Sequence, residues 1–387
     1  MKKYILALVL ISGIIPILGI IKSLSFFDFY FMGYLIYIFI KGKIKKEDFS
    51  FIFLFLSILI TVSSYSLVIN SINPINNENI VQSIVYIFRL FEMFLFLYVV
   101  KYFSEYKIKL IHESIYLSIL ITFITSIMYS LLVFFNIIDD VYAISGTGRL
   151  SSFFGNANGY AYFLVYVFIT NLYFTKSFIL RSFLVFVIVC NILLTASFSA
   201  IILLLGILVL QINLKYLYKY ILSLIIIVST LYIFFDFYSM YLPNRILNII
   251  SNGTITSVGT YSTRSEHIMM ALNLIQDNIE YFSFLGLGLG NSNIFIDNDS
   301  LVAPHNSFIN LVLMIGIIPT LILLSIFLIV LINLYKKSND KKIFLSYVII
   351  FLGQFFFSPI AYLPHIYIPL IMGLRDKLNK GVLREKN

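Results

Sequence analysis

Charge is scarce in this chain: 12% of its 387 residues are Asp, Glu, Lys or Arg, while 60% are hydrophobic. That leaves too little polar surface for a water-soluble globule, and the strongly positive mean hydropathy agrees. Cysteine is scarcer still. The single Cys190 excludes an internal disulfide and a cysteine-built metal site, and within its apolar segment it reads as a small buried hydrophobe. Tryptophan is absent, which goes with an abundance of Ile, Phe, Tyr, Lys and Asn and reflects the base composition of the gene rather than a functional demand. No small-residue cleavage site follows the apolar stretch after Met1-Lys2-Lys3, so this stretch reads as a retained first span rather than a signal peptide.

What the chain does have is long apolar runs. A helix crossing a hydrocarbon core needs roughly 20 apolar residues, and continuous rather than alternating runs exclude a barrel. Expected spans cover 4–21, 24–40, 50–69, 81–100, 110–135, 157–175, 182–197, 199–214, 220–236, 306–334, 343–357 and 363–374. The expected fold is therefore all-α, a polytopic transmembrane bundle of about twelve spans, or eleven without the short last one. The whole chain, 1–387, forms one integral membrane domain with a tail at 375–387.

The net charge of +9 suggests a nucleic-acid partner until the positions of the charges are read. With the N-terminus placed in the cytoplasm, 22 of the 27 basic residues fall in cytoplasmic segments. Lys22, Arg149, Arg245 and Arg264 fall outside, and Arg89 falls within a span. This partition is what the positive-inside rule requires, so both termini and the tail are expected in the cytoplasm. The outside arginines escape that topogenic pattern, which makes them candidates for function. His267, His305 and His365 are also outside, whereas His112 at a cytoplasmic interface reads as structural.

The longest extramembrane segment, 237–305, lies outside, and loops of this length usually carry a function. Within it, Ile268, Ala271, Leu272 and Ile275 have the spacing of an amphipathic helix lying on the membrane surface. Four clusters could carry chemistry. Gly148-Arg149 through Asn158-Gly159 reads as a turn and helix cap, yet neither demands a lone cation. Arg264, beside Glu266, is either part of a solvated face or a fork for phosphate oxygens. Gly286-Leu287-Gly288-Leu289-Gly290 lacks the Lys-Ser/Thr of a P-loop, so it reads as flexible shaping of the loop rather than a nucleotide site. Asn306 reads as an N-cap whose helix offers a positive end to an anion and favours the neutral imidazole of His305 that a general base needs. Arg89 and Glu92, three residues apart, are either a structural ion pair or part of a substrate path. Asp139, Asp140, Asp297 and Asp299 have no metal-ligand spacing, and no cofactor or metal is expected.

Taken in order, Gly148-Arg149, Phe154-Gly155-Asn156-Ala157-Asn158, Ser262-Thr263-Arg264, Gly286-Leu287-Gly288 and His305-Asn306-Ser307-Phe308 with Gly316 resemble the O-antigen polymerase and ligase superfamily over roughly residues 145–330. The resemblance implies a glycosyltransferase using an undecaprenyl-diphosphate-linked glycan at the outer face of the cytoplasmic membrane. Arg264 would hold the donor diphosphate and His305 would act as, or position, the base. Arg149, Asn158 and Asn306 would complete the substrate site. The family often has an arginine after Thr-x-Ser at the end of the seventh span, where Phe198 follows Thr195-Ala196-Ser197; Arg149, Arg245 or Arg89 would have to supply that charge. Met314 stands where an acidic residue is common. A polymerase of surface polysaccharide, O-antigen or capsule, working with a chain-length regulator, is the first expectation. A ligase to lipid A core or protein, or a flippase of the same lipid-linked sugar, are the alternatives. Matching halves and broken helices, the marks of a transporter, are not detected.

Overall fold

The computed structural model describes residues 105–135, 137, 149–154, 156–175, 177–211, 259–287, 294–296, 300–302, 304, 306–338 and 340–357, with isolated residues at 33, 57, 61, 64, 65 and 68. These are mostly helical. The helices are α1 (Glu105–Phe134), α2 (Ala157–Phe174), α3 (Phe178–Thr195), α4 (Phe198–Gln211), α5 (Gly259–Asp277), α6 (Ile279–Phe284), α7 (Ser307–Ile315), α8 (Ile317–Lys337) and α9 (Lys341–Phe357). Three stretches, His112–Val133, Phe178–Thr195 and Ile317–Lys336, are long and apolar enough to cross a membrane by length and composition. Beyond those isolated positions, the expected spans before residue 105, and those at 220–236 and 363–374, lie outside the described residues.

Short polar side chains start these helices, because the first N–H groups of a helix have no partner within it. Asn156 accepts from the backbone of Asn158 and Gly159 ahead of α2, and Ser177 accepts from Leu180 ahead of α3. Asp340 does the same for Lys342 and Ile343 at 3.1 Å at the start of α9.

The chain divides into two compact units. One comprises Ile119–Ser262 with Asp340–Gly353, and its centre is α2, buried continuously from Tyr160 to Asn171. Helices α3 and α4 pack on it, and α9 reaches it through Tyr347, which stacks on Tyr166 with centroids 6.1 Å apart. The hydroxyls of Tyr162 and Thr170 on this buried helix find protein partners, since an orphaned one is costly in such surroundings. Tyr162 donates to Ser199 Oγ at 2.8 Å, and the hydroxyls of Thr170 and Tyr347 lie 2.9 Å apart. On α1, Ser114, Ser118, Thr122, Ser126 and Ser130 recur every four residues and form one small-residue stripe. Ser118 and Ser130 bond back to carbonyls one turn earlier, at 2.7 and 2.8 Å.

The other unit comprises Met1–Ser118, Thr263–Asn339 and Gln354–Asn387. Here α5 and α6 pack on α7 through Ala271, Ile275, Phe282, Ile309, Val312 and Leu313. The expected surface helix is therefore present, but its Ala271 and Ile275 face is covered by protein, and Leu272 stands off that face, 44% exposed. A second departure is the expected span 306–334, which is broken into α7 and α8. Gly316, at φ 89° and ψ 168°, occupies a region open only to glycine. A Cβ there would meet Leu285 N at 2.8 Å and Leu285 O at 2.9 Å. The chain from the preceding loop lies against the break, with Leu287 N donating to Leu313 O at 2.6 Å. Nine residues of α7 rise about 14 Å, half the thickness of a hydrocarbon core. Finally, the all-α expectation did not include a short antiparallel hairpin in the large loop, where β1 (Ile294–Ile296) pairs with β2 (Ser300–Val302).

Candidate functional site

Arg149 sits where three helix ends meet. Its Nε donates to Thr195 O at 2.8 Å, and its Nη2 donates to Asn158 Oδ1 at 2.8 Å. Ser197 Oγ donates to the same Asn158 oxygen at 2.9 Å. The neighbouring backbone adds Leu150 N to Leu194 O at 3.1 Å. Thr195 ends α3, Asn158 lies in the first turn of α2, and Ser197 directly precedes α4. The reading that nothing structural demands a cation at Arg149 is thereby corrected: the carbonyl end of α3 attracts one. That demand was hidden because its partner is 46 residues away.

These two bonds go to neutral oxygens and orient the half-buried guanidinium. Two helices, α2 and α4, point their amino ends toward the same place, which adds positive potential. The backbone alongside is held in unfavourable conformations. Ser152 and Ala196 have φ of 51° and 48°, a left-handed region that costs a non-glycine residue roughly 1–2 kcal/mol. Both are fully buried, and such outliers gather where a structure positions side chains for a task. Ser152 is held by a 3.0 Å bond from its Oγ to Ser126 O. Arg149 also stands beside Thr195-Ala196-Ser197, the place where the resemblance expects an arginine that Phe198 does not provide.

In the other unit, Asn306 caps α7, its Oδ1 accepting from Phe308 N at 2.9 Å and Ile309 N at 3.1 Å. Arg264 lies in the early turns of α5. The Arg264 side chain, and the whole of His305, Arg245 and Arg89, lie outside the described residues, as do Glu92, His365 and the four loop aspartates. His267 is buried in α5 and His112 is buried in α1. Among the described residues no three His, Cys, Asp or Glu side chains gather to hold a metal ion.

Gly286 does something other than the flexible shaping expected of it. A Cβ at this position would run into the backbone of Met314 and Ile315, so glycine supplies room for a backbone-to-backbone contact. Tyr281 braces the same turn by donating to Gly286 O at 3.1 Å; partial burial and the nearby Tyr65 push its phenol up, which keeps the donor protonated. Sequence reasoning missed both Tyr281 and Ser197, whose partners are set by the fold. The signal for Ser197 was the Thr195-Ala196-Ser197 triplet, noted for a different reason. No protein-family model matches the chain, and no curated protein matches it in sequence.

Proposed function

We propose that the chain is a multi-pass enzyme of the cytoplasmic membrane that polymerises undecaprenyl-diphosphate-linked oligosaccharide repeat units into a surface polysaccharide on the outer face. The observation that carries this reading is Arg149, a cation oriented by Thr195 O and Asn158 Oδ1 beside two helix amino ends. A departing diphosphate develops negative charge, and such a preorganised cation stabilises it without a metal. Nucleotide sugars are absent on that face, so the donor must be lipid-anchored. The partition of basic residues supports about twelve spans with both termini inside and the 237–305 loop outside. In this reading Arg264 holds the donor diphosphate, His305 serves as or positions the base for the acceptor hydroxyl, and Asn158 and Asn306 shape the substrate site. Arg149 takes the place considered for Arg245 and Arg89. The ligase reaction uses the same donor chemistry with a different acceptor.

The test is purified protein given lipid-linked repeat units alone, with the glycan ladder as readout. Lengthening by wild type, and its loss in Arg264→Ala and His305→Ala with normal membrane insertion, is the expected result. Wild-type chain lengths in either variant remove that residue from the site. One observation favours a second reading, a flippase of the same lipid: the break at Gly316 resembles the interrupted helices of transporters. Movement of the lipid across a liposome with no lengthening of the glycan decides for it.

A further inference from the structure

The half-helix α7 carries a polar group that the fold leaves unanswered. Asn310 is 2% exposed, and its Oδ1 has no hydrogen-bond partner. Burying an amide oxygen without a donor is unfavourable, and native structures retain such groups where something else completes them. Asn310 is not needed to start the helix, because Asn306 already caps it. The apolar packing against α5 and α6 uses Ile309, Val312 and Leu313.

At 100° per residue, Asn306, Asn310 and Met314 follow one another along a single face of α7, with Asn310 about 60° round the helix from Leu313, about 100° from Ile309 and about 160° from Val312. Helical side chains lean toward the amino end, so Asn310 leans toward the turn that Asn306 opens. Asn306 spends its Oδ1 on Phe308 N and Ile309 N, and its Nδ2 has no partner among the described residues. The face thus offers an acceptor and, one turn nearer the helix start, a donor. A bare carbonyl oxygen repels phosphate and takes an O–H or N–H.

We infer that the Asn306–Asn310 face of α7 binds hydroxyl groups of a sugar, with Asn310 Oδ1 accepting from one of them. The inference rests on the proposed function for its ligand class and assigns to this face the neutral, polyhydroxylated part of the substrate rather than its diphosphate. It also explains why an asparagine persists in a helix that is otherwise apolar from Phe308 to Ile315.

The experiment compares thermal unfolding of the detergent-solubilised full chain alone, with undecaprenyl diphosphate, and with undecaprenyl diphosphate carrying the host's oligosaccharide repeat unit. The variant is Asn310→Leu, which keeps the volume and removes the polar group. Wild type is expected to gain more from the glycosylated lipid than from the bare one. Asn310→Leu should lose only that difference, with affinity for the glycosylated lipid falling about tenfold, while unfolding without ligand no earlier than wild type. If the leucine variant does not fold, Asn310→Ala must lose the same difference.

A retained sugar-dependent gain overturns the inference. Earlier unfolding of ligand-free Asn310→Leu does too, since it marks a purely structural role, and so does a wild type indifferent to the sugar. A glycan ladder run on the same preparation keeps the two proposals apart: wild type that distinguishes the sugar yet never lengthens it sinks the polymerase and leaves this site standing.

Discussion

Gly286→Ala tests whether the chain truly threads against the break between α7 and α8. The added methyl would overlap the backbone of Met314 and Ile315, and backbone atoms cannot swing aside as a side-chain tip does. Overpacking of this kind costs roughly 1–3 kcal/mol. Relieving it pulls Leu287 N from Leu313 O, a 2.6 Å bond, at a cost of about 0.5–1.5 kcal/mol. Phe282, 2% exposed, and Leu287 belong to the same cluster and shift with it. Destabilisation of about 2–4 kcal/mol is expected, read as a lower melting temperature by circular dichroism in detergent micelles. Gly206→Ala is the control: nothing lies within 4 Å of a Cβ there, and alanine inside α4 should stabilise by up to about 1 kcal/mol. If Gly286→Ala melts with wild type while Gly206→Ala behaves as stated, the backbone junction does not exist in the folded protein.

Arg149→Lys keeps the charge but cannot reach Thr195 O and Asn158 Oδ1 together, so chain extension should fall about 10²-fold at normal membrane abundance; full activity would mean that the end of α3 needs only a cation. Asn306→Ala should cost about 1 kcal/mol and speed hydrogen exchange at Phe308 and Ile309, whereas Asn306→Asp should preserve their protection. Tyr347→Phe keeps the stacking on Tyr166 and leaves Thr170 bonded to Tyr166 O, so a loss of only about 1 kcal/mol is expected in the same melts. A loss several times larger would show that Tyr347 holds more than this one bond.

The helices from α1 to α4 were legible because apolar runs are continuous in sequence, and the turn and cap read in residues 148–159 is a local signal that Asn156 supplies. The same holds for Asn306. The break at Gly316 was not legible, since a lone glycine in an apolar run of membrane length is ordinary. It becomes decisive only because Leu285 and Leu287, some thirty residues earlier, press against it. The site divides along the same line. Arg149 stood out by its position relative to the membrane, yet its tie to Thr195 is a contact between distant segments that spacing cannot express. The apolar face of α5 was visible, but which surface covers it depends on where α7 lies.

Tyr347 arrives late. The unit built around α2 takes its last piece from Asp340–Gly353, after the intervening Thr263–Asn339 has been made for the other unit. At 5–20 residues per second, that interval lasts roughly 4–16 s on the ribosome. During it, Thr170 and Tyr166 wait without Tyr347, and the side chain of Leu203 lacks the flat surface of Gly353. Any ribosomal pause within α8 lengthens the time that this half-built unit stays open to the wrong neighbour.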